Sequence, residues 1–589
     1  MKKLIEILTE RMGDAFEQAG YDRALGSVRV SDRPDLCEFQ CNGAMGGAKQ
    51  YHKAPFMIAQ DVMNVLEGTE GLPFEAACVK PGFLNLKVLP DFLASYIRDC
   101  ASEENLGIRQ VDAPKKIILD YGGPNVAKPL HVGHLRAAVI GESIKRLLRA
   151  VGHDVLGDVH LGDWGLQIGL IITELGIRQP DLPYFDENAA EWPEKAPFTI
   201  AELEEIYPAA SARSKIDEEY REKALQATHD LQNGRPGYRA LWKKIMEISV
   251  ADLGRNYERL DVSFDLWKGE SDVQPYIPGL LEDLTARGIA REDDGALIVD
   301  VALPEDKKEM PPCIIRKSDG AALYSTTDIA TILERMKLYD PDKIIYVVDK
   351  RQGMHFEQVF RTVRKAGIVK PDTELIHVGF GTMNGRDGKP FKTREGGVMR
   401  LSSLLDEIEE EMTVKIRENK NVRADDARET AEKVALAAVK YGDLSNQASK
   451  DYVFDVEKFT SFEGNTGPYI LYTIVRIKSI LAKAAEEDRA AALPQAILPP
   501  ENETEKALFL TLADFGTVIG EAAEELAPHR ICGYIFQLSN DFNRFYHETR
   551  ILQEESDGKR RSYLALLSVT QKVLEKSIGI LGFGAPEHM

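Results

Sequence analysis

The residues in this chain best suited to chemistry are His131 and His134, separated by Val132 and Gly133. A spacing of three puts both imidazoles on one face of a helical turn. They stand where the apolar run Ile117, Ile118, Leu119 breaks at Gly122, Gly123 and Pro124, and where helical spacing of apolar residues resumes at Leu130 and runs to Leu148. That pattern reads as strand, tight turn, helix. A helix start offers free amides and a positive dipole end to an anion, and imidazole donors beside it suit charge building up on a phosphate. Gly133 lets a flat base lie against the backbone. The histidine pair alone also fits a plain helix start with two partly exposed rings. Asn125 and Lys128 shift the balance, adding an amide and an ammonium at the end of a strand, where open α/β sheets hold ligands.

A second group of candidates lies further on. Tyr324 and Asp328, four apart at a helix start, can share one pocket, although Ser325 with Asp328 also fits an N-terminal capping box. Gln352 follows the apolar strand Lys343 to Val348 and Asp349. A carboxylate, a phenol and an amide at the mouths of neighbouring strands could hold a planar guanidinium with its five donors. The Gly-rich stretch from Phe380 to Arg400 carries Lys389, Lys392, Arg394 and Arg400, which suits polyphosphate, with an exposed hairpin tip as the alternative. Near the start, Phe39-Gln40-Cys41-Asn42 with Phe83 and Asn85 suits stacking on a nucleotide base, or an ordinary hairpin. Near the end, Tyr469 and the run Phe542 to Arg550, including Tyr546, set aromatics beside arginines as for unpaired bases, while a buried helix seam explains Phe545 equally well.

The elements that must position these groups follow from periodicity and composition. At 589 residues and 43% hydrophobic content the chain makes several domains with real cores. A net charge of -21 argues against a non-specific nucleic-acid binder but not against a local basic face. The six cysteines lack paired CxxC spacing and read as buried thiols. The first residues have no cleavable apolar core and no segment approaches a membrane span, so a cytoplasmic protein is expected. Residues 1–112 read as a small α/β domain and 113–177 as the first half of a nucleotide-binding fold. Residues 178–310 read as a mostly helical insertion, 311–434 as the second half with the basic loop, and 435–589 as a helical bundle. Ile314 to Tyr324 reads as a hairpin about Ser318-Asp319-Gly320.

Together these motifs closely resemble the class I aminoacyl-tRNA synthetases, and within them the arginyl-tRNA synthetase family, over essentially the whole chain. Pro124 through His131 and His134 to Arg136 is similar to that family's extended first signature, and Gly162-Asp-Trp-Gly165 to the segment after it. Lys389-Pro-Phe-Lys392-Thr-Arg394 is similar to its divergent second signature. Thr466-Gly-Pro-Tyr469 and the terminus from Leu581 to Met589 resemble its anticodon-binding module. The resemblance implies an α/β, Rossmann-type parallel-sheet catalytic domain split by a helical insertion, a small α/β N-terminal domain and an all-α C-terminal bundle. It implies ATP-dependent ligation of L-arginine to its tRNA through an arginyl-adenylate, with release of AMP and pyrophosphate.

It also implies roles for residues at matching positions. His131, His134, Lys128 and Lys392 would serve catalysis, and Gly133, His134, Lys392 and Arg394 would bind ATP. Asp120, Asn125, His131, Tyr324, Asp328 and Gln352 would surround arginine. Phe83 and Asn85 would touch the outer corner of the tRNA, and Tyr469, Tyr546 and Met589 the anticodon. One departure stands out: Thr393 occupies the place of the second lysine in the usual Lys-Met-Ser-Lys-Ser, so Lys128 or Lys392 must supply charge at the pyrophosphate. Gly122-Gly123 stands where many relatives carry serine. No cysteines and histidines cluster at ligand spacing, so no resident metal is expected, and Mg2+ would travel with ATP. The expected partners are tRNA, L-arginine and ATP, with no membrane, and the chain is expected to be a monomer.

Overall fold

A computed structural model of the chain describes residues 1–318, 323–389, 399–417, 427–487 and 493–589. The chain divides into two compact units, one of residues 1–110, 462–579 and 584–589, the other of 111–461 and 580–583.

The first unit carries an antiparallel sheet of β1 (Val28–Val30), β2 (Phe39–Cys41), β3 (Phe74–Val79) and β4 (Phe83–Val88) in the order β1-β2-β4-β3. Helix Leu4–Gln18 buries Leu4, Leu8, Met12 and Phe16 at helical spacing. The same unit holds helices Glu503–Ala513, Phe515–Glu525 and Pro528–Glu548. Lys506 pairs with Glu38 at 2.5 Å and Arg98 Nη1 donates to the Ile497 carbonyl at 2.6 Å, so the two ends of the chain meet here.

The second unit is built on five parallel strands: β5 (Lys116–Tyr121), β6 (Asp154–Leu161), β7 (Leu266–Gly269), β11 (Lys343–Asp349) and β12 (Glu374–Phe380), in the order β12-β11-β5-β6-β7. Between β7 and β11 the chain forms an antiparallel set of β8 (Arg291–Asp293), β9 (Ala296–Val299) and β10 (Cys313–Arg316). β5 is buried over all but its first residue, as expected of a strand covered on both faces. Ile118, Ile329, Ile332, Ile344, Tyr346 and Val359 belong to one core cluster.

From β5 the chain runs through helix Val132–Ala150 to β6 on one side, and from β11 through helix Gly353–Lys365 to β12 on the other. The strand order therefore reverses between β5 and β11, and a crevice opens at their carboxyl ends. Among the described residues, no helix is long and apolar enough to cross a membrane.

Two local expectations change. Residues 178–310 do contain helices Ile200–Arg213, Glu218–Gln232 and Pro236–Arg259, but β7 within them joins the parallel sheet as its edge strand. Four residues are too few for periodicity to reveal a strand. β10 pairs with β9, Tyr324 opens helix Tyr324–Leu338 as its spacing to Asp328 predicts, and Asp319 and Gly320 of the expected hairpin turn lie outside the described residues. Ser325 and Thr326 donate to the carbonyls of Ile314 and Ile315, tying that helix start to β10, so Ser325 is not its cap.

Candidate active site

The turn after β5 delivers the two histidines. His131 is the N-cap of helix Val132–Ala150: its Nδ1 accepts from the Gly133 amide at 3.1 Å, while the His134 Nδ1 accepts from the His131 amide, also at 3.1 Å. With both Nδ1 atoms accepting, each neutral ring carries its proton on Nε2. The rings lie 3.9 Å apart, centroid to centroid, at 32°. Burial, with His131 and the Lys128 charge adding to it, pushes His134 down to about 3, and burial and Lys128 lower His131 as well. At neutral pH the pair offers uncharged donors. The chain that returns from the basic loop is stitched alongside, with the Val132 amide donating to the Met399 carbonyl at 3.1 Å and the Leu401 amide to the Leu130 carbonyl at 2.9 Å. Lys392 and Arg394 lie outside the described residues.

At the reversal point of the sheet lies a cavity of about 480 Å³. It brings together Asp120, Asn125, Gly133, His134, Tyr324, Asp328 and Gln352, which the sequence singled out from distant segments. Two expected members stand apart. His131 stacks on His134 without lining the cavity. Lys128 lines a neighbouring cavity, its ammonium 4.2 Å from the centre of the Tyr207 ring.

The cavity is rich in carboxylates, and their partners differ. Asp120 and Asp158 both accept from Arg335 Nη2, at 2.5 and 2.6 Å, and Arg335 Nη1 donates to the Tyr346 hydroxyl at 3.0 Å. This guanidinium is buried and supplies the countercharge at the cavity floor. Asp120, Asp158 and His160 have potential ligand atoms within 4.8 Å of one another, but Arg335 already occupies both carboxylates.

Asp328 Oδ2 accepts from His355 Nε2 at 2.6 Å, a partner 27 residues along the chain that periodicity did not select. Glu270 also lines the cavity, and burial, with the nearby carboxylates of Asp163 and Asp328, pushes it up to about 7. Asp163, from Gly162-Asp-Trp-Gly165, fixes the turn that carries Glu270, accepting from the Ser271 amide at 3.0 Å and from its hydroxyl at 2.6 Å. Glu270 follows the short strand β7, and no sequence signal marked it.

Family models match nearly the whole chain. Residues 2–88 match the arginyl-tRNA synthetase N-terminal domain, 97–456 the catalytic domain of class I tRNA synthetases (R), and 470–589 the DALR anticodon-binding domain. The arginine–tRNA ligase of Agathobacter rectalis is 59% identical and that of Alkaliphilus oremlandii 54%, each alignment covering 100% of both chains. The chain belongs to the arginyl-tRNA synthetase family. Like its relatives it is an enzyme that ligates arginine to tRNA at a class I catalytic domain by way of an adenylate, with ATP and a divalent metal as substrate. The arginyl-tRNA synthetase of Plasmodium falciparum, 23% identical, superposes with a TM-score of 0.80 over 100% of both chains and shows the same fold.

In this arginyl-tRNA synthetase the residues expected at tRNA lie in the first unit. Phe83 is half-buried on β4, and Asn85 is buried with its Oδ1 accepting from Gln40 Nε2 at 2.9 Å. The Tyr469 hydroxyl donates to Asn540 Oδ1 at 2.7 Å and accepts from Asn543 Nδ2 at 2.9 Å. Tyr546 is exposed, with the Arg476 guanidinium 5.1 Å from its ring. Phe545 is buried in the helix seam, and the Met589 side chain is buried, which leaves it little side-chain surface for RNA.

Proposed function

We propose that Asp328 accepts a bidentate pair from the arginine guanidinium, with Glu270 as a second carboxylate and Tyr324 and Gln352 as polar neighbours. Asp120 and Asn125 face the α-amino end. Lysine, with one ammonium, would leave acceptors unpaired at about 1–3 kcal/mol each. The single observation that carries this reading is that Asp328 and His134 line one cavity at the sheet's reversal point.

The chemistry follows from that shared space. The arginine carboxylate attacks the α-phosphorus of ATP in line and pyrophosphate leaves, while the Nε2–H donors of His134 and His131 meet the charge gathering on the phosphate oxygens. The 2′-hydroxyl of the terminal adenosine then attacks the arginyl carbonyl and AMP leaves. Gly133 accommodates the nucleotide, with Lys392 and Arg394 as further ATP contacts, and Lys128 or Lys392 meets the leaving pyrophosphate. Mg2+ accompanies the ATP. Phe83 and Asn85 face the tRNA corner, and Tyr469, Tyr546 and the chain end face the anticodon. The enzyme works in the cytoplasm as a monomer.

ATP–pyrophosphate exchange against a panel of amino acids, with and without tRNA, tests the whole reading. Arginine alone should support exchange, and Asp328→Asn should abolish it. Near-normal arginine-dependent exchange in that variant refutes the assignment.

A further inference from the structure

The turn that carries Lys128 is held by helices that come later in the chain. Ala127, the residue before it, sits at φ 57°, in the left-handed region that alanine rarely adopts. Its buried amide donates to Ser249 Oγ at 3.0 Å, from helix Pro236–Arg259. The Val126 amide donates to the Gly162 carbonyl at 3.1 Å, and the Val126 carbonyl accepts from Gln167 Nε2, at the start of helix Leu166–Arg178. Strain of this kind persists only where the surroundings over-determine the backbone, and here it fixes the direction in which the Lys128 side chain leaves the turn.

A further helix, Ile200–Arg213, meets the side chain itself. The Lys128 ammonium stands 4.2 Å from the centre of the Tyr207 ring, and among the described residues no carboxylate pairs with it. Tyr207 packs against the cluster of Leu170, Ala210, Tyr220 and Ala224, which holds the ring in place. One turn earlier on the same face, Glu204 pairs with Arg400 at 2.9 Å, and the Arg400 backbone forms a β-bridge with His131. The helix that offers the ring is therefore pinned to the histidine turn. From this position the Lys128 charge reaches both histidines and lowers them.

A carboxylate in place of the ring would hold the lysine and cancel its charge. An aromatic face holds the ammonium with its charge intact and releases it at little cost when a phosphate arrives. The cavity lined by Lys128 shares Asn125, Gly162, Glu270 and Tyr324 with the amino-acid cavity, so a single common wall separates the two. We infer that Tyr207 is a positioning residue for arginine activation: its ring holds the Lys128 ammonium, still fully charged, at the edge of the site until the pyrophosphate takes it. The inference rests on the reading above in which Lys128 meets the leaving pyrophosphate.

The test is ATP–pyrophosphate exchange by the full-length enzyme with tRNA present, for the parent, Tyr207→Leu, Tyr207→Phe, Lys128→Ala, and Lys128→Ala combined with Tyr207→Leu. Leucine keeps apolar packing against the Leu170 cluster and removes the ring, whereas phenylalanine keeps the ring. Lys128→Ala should slow exchange on the order of a hundredfold. Tyr207→Leu should slow it about fivefold with a raised KM for pyrophosphate, Tyr207→Phe should match the parent, and KM for arginine should not move. On the Lys128→Ala background Tyr207→Leu should cost nothing more, because the ring then has no ammonium to hold. A further loss on that background makes Tyr207 a packing residue, a phenylalanine variant as slow as the leucine one hands the role to the hydroxyl, and parent-like exchange by Tyr207→Leu removes the role; each overturns the inference. Parent-like exchange by Lys128→Ala alone overturns it too, and locates the failure in the reading on which it rests.

Discussion

Single residues set the protonation states on which the chemistry turns. His134 is neutral because of burial, with His131 and the Lys128 charge adding to it, and since its Nδ1 accepts from the His131 amide its Nε2–H remains to donate. Removing one such donor costs ~3 kcal/mol of barrier, so His134→Ala should slow arginine activation on the order of a hundredfold. It should also lose the reciprocal half of the capping box, the His131 amide donating to His134 Nδ1, at about 1 kcal/mol of stability, and pre-steady-state activation with urea melts separates the two effects.

Glu270 titrates where His134 does not. With its carboxyl raised to about 7, the folded chain holds a proton that the unfolded chain, at 4.5, has released. Without substrate this makes stability fall as pH climbs from 4.5 to about 7. A guanidinium prefers the ionised form, so KM for arginine should fall as pH rises through about 7, and Glu270→Gln should flatten that dependence. An unchanged pH profile in the variant would remove Glu270 from the arginine site.

At the scale of elements, one helix must seat closely on one strand for His134 to face the cavity. Helix Val132–Ala150 approaches β5 through Gly141, where an added methyl would stand 2.3 Å from the Tyr121 ring. That ring cannot swing aside, because its hydroxyl donates to the buried Glu142 and lies 2.8 Å from the Ser263 carbonyl. Gly141→Ala should therefore destabilise by at least about 1–3 kcal/mol, and any folded variant should show a raised KM for ATP as the helix start is displaced. Unchanged denaturation and kinetics would mean that the helix seats with slack.

Across the whole molecule, Lys440 links distant parts of the chain within the second unit. Its buried ammonium donates to the carbonyls of Gly582 at 2.6 Å and Asp261 at 3.2 Å. Burial and the neighbouring Arg146 charge push it down to about 7 from 10.5, although Asp261 and Glu142 act the other way. Between those values the unfolded chain binds more protons than the folded one, so stability rises with pH across that window. Lys440→Met should lose that rise, which urea midpoints at about pH 7.5 and 9.5, compared with the parent, would show.

What the sequence determined by itself is what the covalent chain makes local. Strand, turn and helix around His131 and His134 follow from apolar spacing and from glycine and proline, and Tyr324 with Asp328 follows from one helical turn. Tertiary structure decided what depends on contacts between remote segments. It put His355 on Asp328 and Arg335 beneath Asp120, brought β7 to the sheet edge with Glu270 behind it, and turned Lys128 toward Tyr207. No periodicity records such pairings, because burial and charge neutralisation act through space between groups whose separation along the chain is arbitrary.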